Sequence, residues 1–106
     1  MISSHILDTT LGKPASNVKI ELFNDIGHSL GSAVTNSDGR VMDFGLTEFK
    51  AGAYSLEFST APYFKALGMD TFFPKAVIHF YVQDTSQHFH IPLLISPFAY
   101  STYRGS

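Results

Sequence analysis

The sequence contains no cysteine, which excludes a disulfide framework, a thiolate nucleophile and a thiolate metal ligand. Long apolar runs are also missing: the longest are a few residues, where a membrane-spanning helix needs about 20. Charge is sparse and scattered. Seven Lys+Arg stand against nine Asp+Glu, for a net charge of −2, and no run of one sign occurs. A binder of nucleic acid or of an anionic membrane would carry a basic patch, so both classes are excluded. No P-loop, glycine-rich dinucleotide motif or Ser-His-Asp order is present, so nucleotide and acyl-enzyme mechanisms have nothing to stand on. Residues 1–4 alone precede the first patterned segment, which leaves no room for a leader peptide, and the expected location is cytoplasmic.

What is present is enough for one core. Hydrophobic residues make up 44% of the 106 and aromatics 14%, so residues 1–106 are expected to form a single packed domain. Residues 5–8 form a short apolar segment that ends at the turn material Gly12-Lys13-Pro14. Residues 18–23 alternate, with Val18, Ile20 and Leu22 on one face, which is the period of a half-buried strand. Residues 24–27 read as a turn and 29–35 as the next strand. Asn36-Ser37-Asp38-Gly39 is the strongest turn signal, and it puts Arg40 at the start of a return strand over 40–44. Tyr54, Leu56 and Phe58 mark a further alternating strand. Thr60 reads as a helix N-cap, with Pro62 in the first turn and Gly68 past the end, which predicts one short helix over 61–67. A strand over 76–82, a polar turn over 83–87 and a strand through Leu93, Leu94 and Ile95 follow, before a break at Pro97. Seven or eight strands at roughly ten-residue spacing predict an all-β, antiparallel two-sheet sandwich with one brief helix.

The chemistry rests on histidine and arginine. His88 and His90 share one strand face, a common metal-ligand spacing, but a third ligand would have to come from His5 or His79. The plainer reading leaves His88 in solvent at the start of its strand, His28 exposed in a turn, and His79 as a hydrogen-bonded structural residue. His5 and Arg40 are each unremarkable singly, but together they suit one task. A near-neutral imidazole takes a proton from water, and a guanidinium clamps a planar, carbonyl-rich ligand through two parallel bonds. Residues 88–106, with two tyrosines and the second of only two arginines near the end, are expected to line a pocket with His5 and Arg40 rather than to fray.

Several motifs carry a resemblance. His5-Ile6-Leu7-Asp8 with Gly12-Lys13-Pro14-Ala15, the turn Thr35 to Arg40, and Phe72-Phe73-Pro74 are followed by His88-Phe89-His90-Ile91-Pro92-Leu93-Leu94-Ile95-Ser96-Pro97 and Tyr103-Arg104-Gly105-Ser106. Together they resemble, over nearly the whole chain, the transthyretin-like family and within it the branch that hydrolyses 5-hydroxyisourate. The closing tetrapeptide is the most specific of these motifs. The carrier branch lacks it and the first histidine, and this chain has both.

The resemblance implies an eight-stranded sandwich assembled as a homotetramer, a dimer of dimers with active sites in the channel where dimers meet. It also implies hydrolytic opening of the six-membered ring to 2-oxo-4-hydroxy-4-carboxy-5-ureidoimidazoline, with functional residues at His5, Arg40, His90, Tyr103 and Ser106. In this reading His5 or His90 is the general base toward water, and Arg40 binds and polarises the substrate. Ser106, through its hydroxyl or a main-chain carboxylate, orients an imidazole or the water, and Tyr103 closes the pocket. No metal and no cofactor are expected. A small-ligand carrier on the same sandwich and a histidine-dependent metal protein are the competing expectations.

Overall fold

The computed structural model describes all 106 residues. In chain order the elements are β1 (Ile2–Asp8), β2 (Lys13–Pro14), β3 (Lys19–Asn24), β4 (Ser29–Val34), β5 (Arg40–Val41), β6 (Gly52–Phe58), α1 (Thr60–Ala66), β7 (Ala76–Val82), β8 (Phe89–Ser96) and β9 (Ala99–Thr102). One sheet runs β2-β1-β8-β9, with β5 also paired to β1, and the other runs β4-β3-β6-β7. The expected two-sheet sandwich with one short helix is therefore present. Eighteen buried apolar residues form the core between the sheets, including Ile20 and Leu22 of β3, Leu56 and Phe58 of β6, and Leu93 and Ile95 of β8. No helix is long and apolar enough to cross a membrane.

Several details depart from the sequence-based expectation. β1 starts at Ile2 rather than at His5, because Ser3 and Ser4 are strand residues despite their polarity. Both are buried, and the Ser4 hydroxyl donates to the Ile91 carbonyl at 2.7 Å, which satisfies it without water. β1 and β8 pair in parallel, from Ile2 beside Phe89 to Asp8 beside Ile95, whereas every other ladder is antiparallel. The strand expected over 40–44 stops at Val41. Beyond it the Asp43 carboxylate accepts the Gly45 N–H at 3.1 Å, a local bond that competes with continued pairing.

The helix also shifts. Thr60 is its first residue rather than its cap; Ser59 holds the cap position and makes no side-chain capping bond. The helix is held instead by Phe64, which is buried in the core, and it ends where the Gly68 and Met69 N–H groups return to Lys65 and Phe64. Pro97 does not end the ordered structure. It opens a tight turn from which β9 runs back along β8, pairing Ser96 with Ala99 through to Leu93 with Thr102.

Candidate active site

Strand alternation builds the site on the outer face of the β1–β8 sheet. β1 turns Ile2, Ser4, Ile6 and Asp8 toward the core, which leaves Ser3, His5 and Leu7 outside. β8 turns Phe89, Ile91, Leu93 and Ile95 inward, which leaves His90, Pro92 and Leu94 outside. The parallel register sets Ser3 beside His90, and the antiparallel pairing of β5 sets Arg40 beside His5. Residues paired across a ladder share a face, so Ser3, His5, Arg40 and His90 converge. After β9 the chain doubles back, and Gly105 bridges to His90, its N–H donating to the His90 carbonyl at 2.9 Å. A hollow of about 110 Å³ results, lined by Ser3, Arg40, Met42, His88, His90 and Ser106 among others, but not by His5, which was expected to line it.

Two glycines make these approaches possible. Gly39 has φ +72°, and a Cβ there would lie 2.6 Å from the Ile6 carbonyl oxygen. The turn before it is closed by the Asn36 side-chain oxygen, which accepts the Asp38 and Arg40 N–H groups at 2.9 and 3.0 Å. The bare Cα thus lets the hairpin press onto β1 and brings Arg40 to His5. A Cβ on Gly105 would fall on the His90 ring and 3.0 Å from Pro92 Cγ, so that glycine lets the terminal segment cover the imidazole.

Electrostatics favour neutral imidazoles. Burial, and then the Arg40 charge, hold His5 below the ordinary histidine value, against a weaker upward pull from Asp38. Burial comes first for His90 too, followed by Arg40, His88 and His5, and all four lower it. Arg40 itself has no carboxylate partner: the three ion pairs are Lys19–Glu21, Lys50–Glu48 and Lys75–Glu57, all elsewhere. An exposed guanidinium without a counter-ion, beside two uncharged imidazoles, suits an electron-rich planar ligand and a proton acceptor near it.

Not every expected residue joins this cluster. Tyr103 is 61% exposed and lines a separate hollow of about 240 Å³ with Ile78, Phe80, Phe89 and Arg104; His90 borders both hollows. The Arg104 guanidinium lies over the Phe89 ring at 4.7 Å and donates to the Gln87 side-chain oxygen at 2.9 Å. His79, expected as a hydrogen-bonded structural residue, is exposed on β7, where strand alternation turns it outward. His28 is exposed in its turn, as expected. No three His, Cys, Asp or Glu side chains are grouped closely enough to hold a metal ion.

The residue that sequence reasoning missed is Ser3. It is 3% exposed, and its Oγ lies 2.7 Å from both His88 Nε2 and His90 Nδ1. His88 is exposed as expected but is tethered rather than free. Ser3 lies two residues before His5, and period-two spacing on β1 was the available signal.

A sandwich of this connectivity is of the transthyretin type. The structure of sea bream transthyretin in complex with thyroxine is similar at a TM-score of 0.90 and 30% identity, over 98% of this chain and 93% of that one. The model of the HIUase/Transthyretin family matches residues 2–105, and the chain belongs to that family. It is 42% identical to 5-hydroxyisourate hydrolase 2 of Rhizobium meliloti (strain 1021), over 99% of this chain and 95% of the relative. The structure of Klebsiella pneumoniae 5-hydroxyisourate hydrolase is similar at a TM-score of 0.91 and 40% identity, covering 99% and 98% of the two chains.

Proposed function

We infer that this chain is a hydrolase that opens the six-membered ring of 5-hydroxyisourate to 2-oxo-4-hydroxy-4-carboxy-5-ureidoimidazoline. The observation that carries this reading is the meeting of His5, His90 and an unpaired Arg40 on one sheet face, in a chain with full-length relatives of that activity. Water gives a proton to His90 or His5 as its oxygen adds to a ring carbonyl. Arg40 binds the flat substrate and offsets the charge that gathers on the attacked oxygen. The C–N bond then breaks, the ring nitrogen takes a proton, and the freed carboxylic acid ionises. Ser106, on the rim of the same hollow, orients the water or an imidazole in this reading. Tyr103, in the neighbouring hollow, is the weaker candidate for a substrate contact.

Assembly as a homotetramer, a dimer of dimers, completes the proposal. Its support is apolar surface left open: Met42 beside the hollow is 64% exposed, and Phe98 and Phe72, at the far end of β8, are 69% and 72% exposed. The test of the activity is the ultraviolet decay of freshly made 5-hydroxyisourate with and without protein, and with a chelator. Accelerated decay that the chelator leaves unchanged is expected. Saturable binding without acceleration would favour a carrier, and chelator-sensitive acceleration would favour a metal protein.

A further inference from the structure

We propose that Ser3 is a positioning residue that couples His90 to His88, so that the proton charge taken from water at His90 is held on His88 until the ring nitrogen needs it. This rests on the hydrolase reading above. A hydroxyl has one proton to donate, yet Ser3 Oγ lies at hydrogen-bond distance, 2.7 Å, from a ring nitrogen of each histidine. Ser3 can donate to only one of the two rings, so at least one imidazole donates to it. The protonation states of the two rings are thereby tied together.

His90 is a base when its Nδ1–H donates to Ser3, and the relay uses the arrangement in which Ser3 in turn donates to His88. In it the His90 Nδ1–H donates to Ser3, Ser3 donates to His88 Nε2, and His90 Nε2 keeps a free electron pair. When that nitrogen takes a proton from water, the Nδ1 proton passes to Ser3 and the Ser3 proton passes to His88 Nε2. Ser3 ends with the proton count it began with, and the positive charge has moved from His90 to His88. His90 now carries its proton on Nε2 and is the acid for the second half of the reaction. When the C–N bond breaks, that proton goes to the ring nitrogen, the two transfers reverse, and the starting arrangement returns.

The surroundings favour the outward transfer. His90 is half-buried and faces His5 on β1, Arg40 on β5 and His88 on its own chain segment, with Ser106 on the rim. An imidazolium there meets a cation and poor solvation, whereas His88 is exposed to water. The His90 ring is held for this exchange on two sides, by the buried Ser3 hydroxyl and by the bare Cα of Gly105.

The test compares wild type with Ser3→Ala, Ser3→Thr and His88→Gln by steady-state kinetics across pH, and by nitrogen-15 NMR titration of the histidines without substrate. In wild type the two rings are expected to titrate as a coupled pair, and in Ser3→Ala independently. Ser3→Ala is expected to lower kcat about tenfold or more while KM stays within about twofold. Ser3→Thr should restore most of the rate, and added imidazole should partly restore His88→Gln. His88 is exposed, so its variant decides the matter even where Ser3→Ala fails to fold. Unchanged histidine titrations in Ser3→Ala, or kcat kept within about twofold in either Ser3→Ala or His88→Gln, would overturn the coupling. If wild type does not hydrolyse hydroxyisourate, the hydrolase reading fails, and the substrate-free titration still decides whether Ser3 couples the rings.

Discussion

Arg40 is a cation with no carboxylate beside it, and its planar fork is what a ring bearing several carbonyls needs. Lysine keeps the charge but loses the fork. Arg40→Lys is therefore expected to cost about 2 to 4 kcal/mol of transition-state stabilisation in kcat/KM. Near-normal kcat/KM would remove the clamp role from Arg40. The imidazoles give a second expectation, with its sign fixed by their surroundings. A base must be uncharged to accept a proton, and burial followed by Arg40 holds both His5 and His90 below the ordinary 6.5. Activity should thus stay level through neutrality and fall only on acidification below that value. With His90 as the base, the acid limb disappears in His90→Asn. In His5→Asn it persists and moves upward, because His5 is one of the groups that lower His90. The same limb in both variants would exclude an imidazole base at these positions.

Elements carry these side chains to one place, and local turns explain which of them could be foreseen. The Asn36 to Gly39 turn and the alternation of Tyr54, Leu56 and Phe58 are written in neighbouring residues, and both appear where the sequence puts them. Arg40 followed from that turn. Ser3 did not, because nothing near it in the chain signals that a strand some 85 residues away brings His88 and His90 to its hydroxyl. The extent of β1 was hidden for a related reason: Ser3 and Ser4 look like a solvated lead-in until β8 covers them. Thr60 failed as a cap because Phe64 and the core, not end chemistry, hold that short helix. The segment after β9 yields a test at this scale. Gly105→Ala would drive a methyl into the His90 ring, yet the segment adds nothing to the 18-residue core. Its kcat is expected to fall about tenfold or more, with stability changed by less than about 1 kcal/mol on thermal melting. Full activity would show that the terminal segment does not set the His90 ring.

For the molecule as a whole, the open sheet face around the site is the feature that one chain leaves unfinished. Sedimentation at micromolar concentration is expected to give a tetramer, and a fully active monomer would remove the shared channel. The sandwich was legible in outline because hairpins are encoded locally, whereas the direction of β1 against β8 was not, since no turn joins them. That one parallel ladder also sets an order of events. The β4-β3-β6-β7 sheet is drawn from residues 19–82, with β5 the one strand of the other sheet between them, so its ladders can form without β8. The other sheet is complete only with β8, and the meeting of His5 and Arg40 with His90 waits for it. In refolding followed by pulsed hydrogen exchange, β3 and β6 amides should gain protection before those of β1 and β8. Simultaneous protection would contradict that order. A nascent chain of this protein is thus inert until β8 has emerged, and catalytic competence comes only after the middle sheet can form.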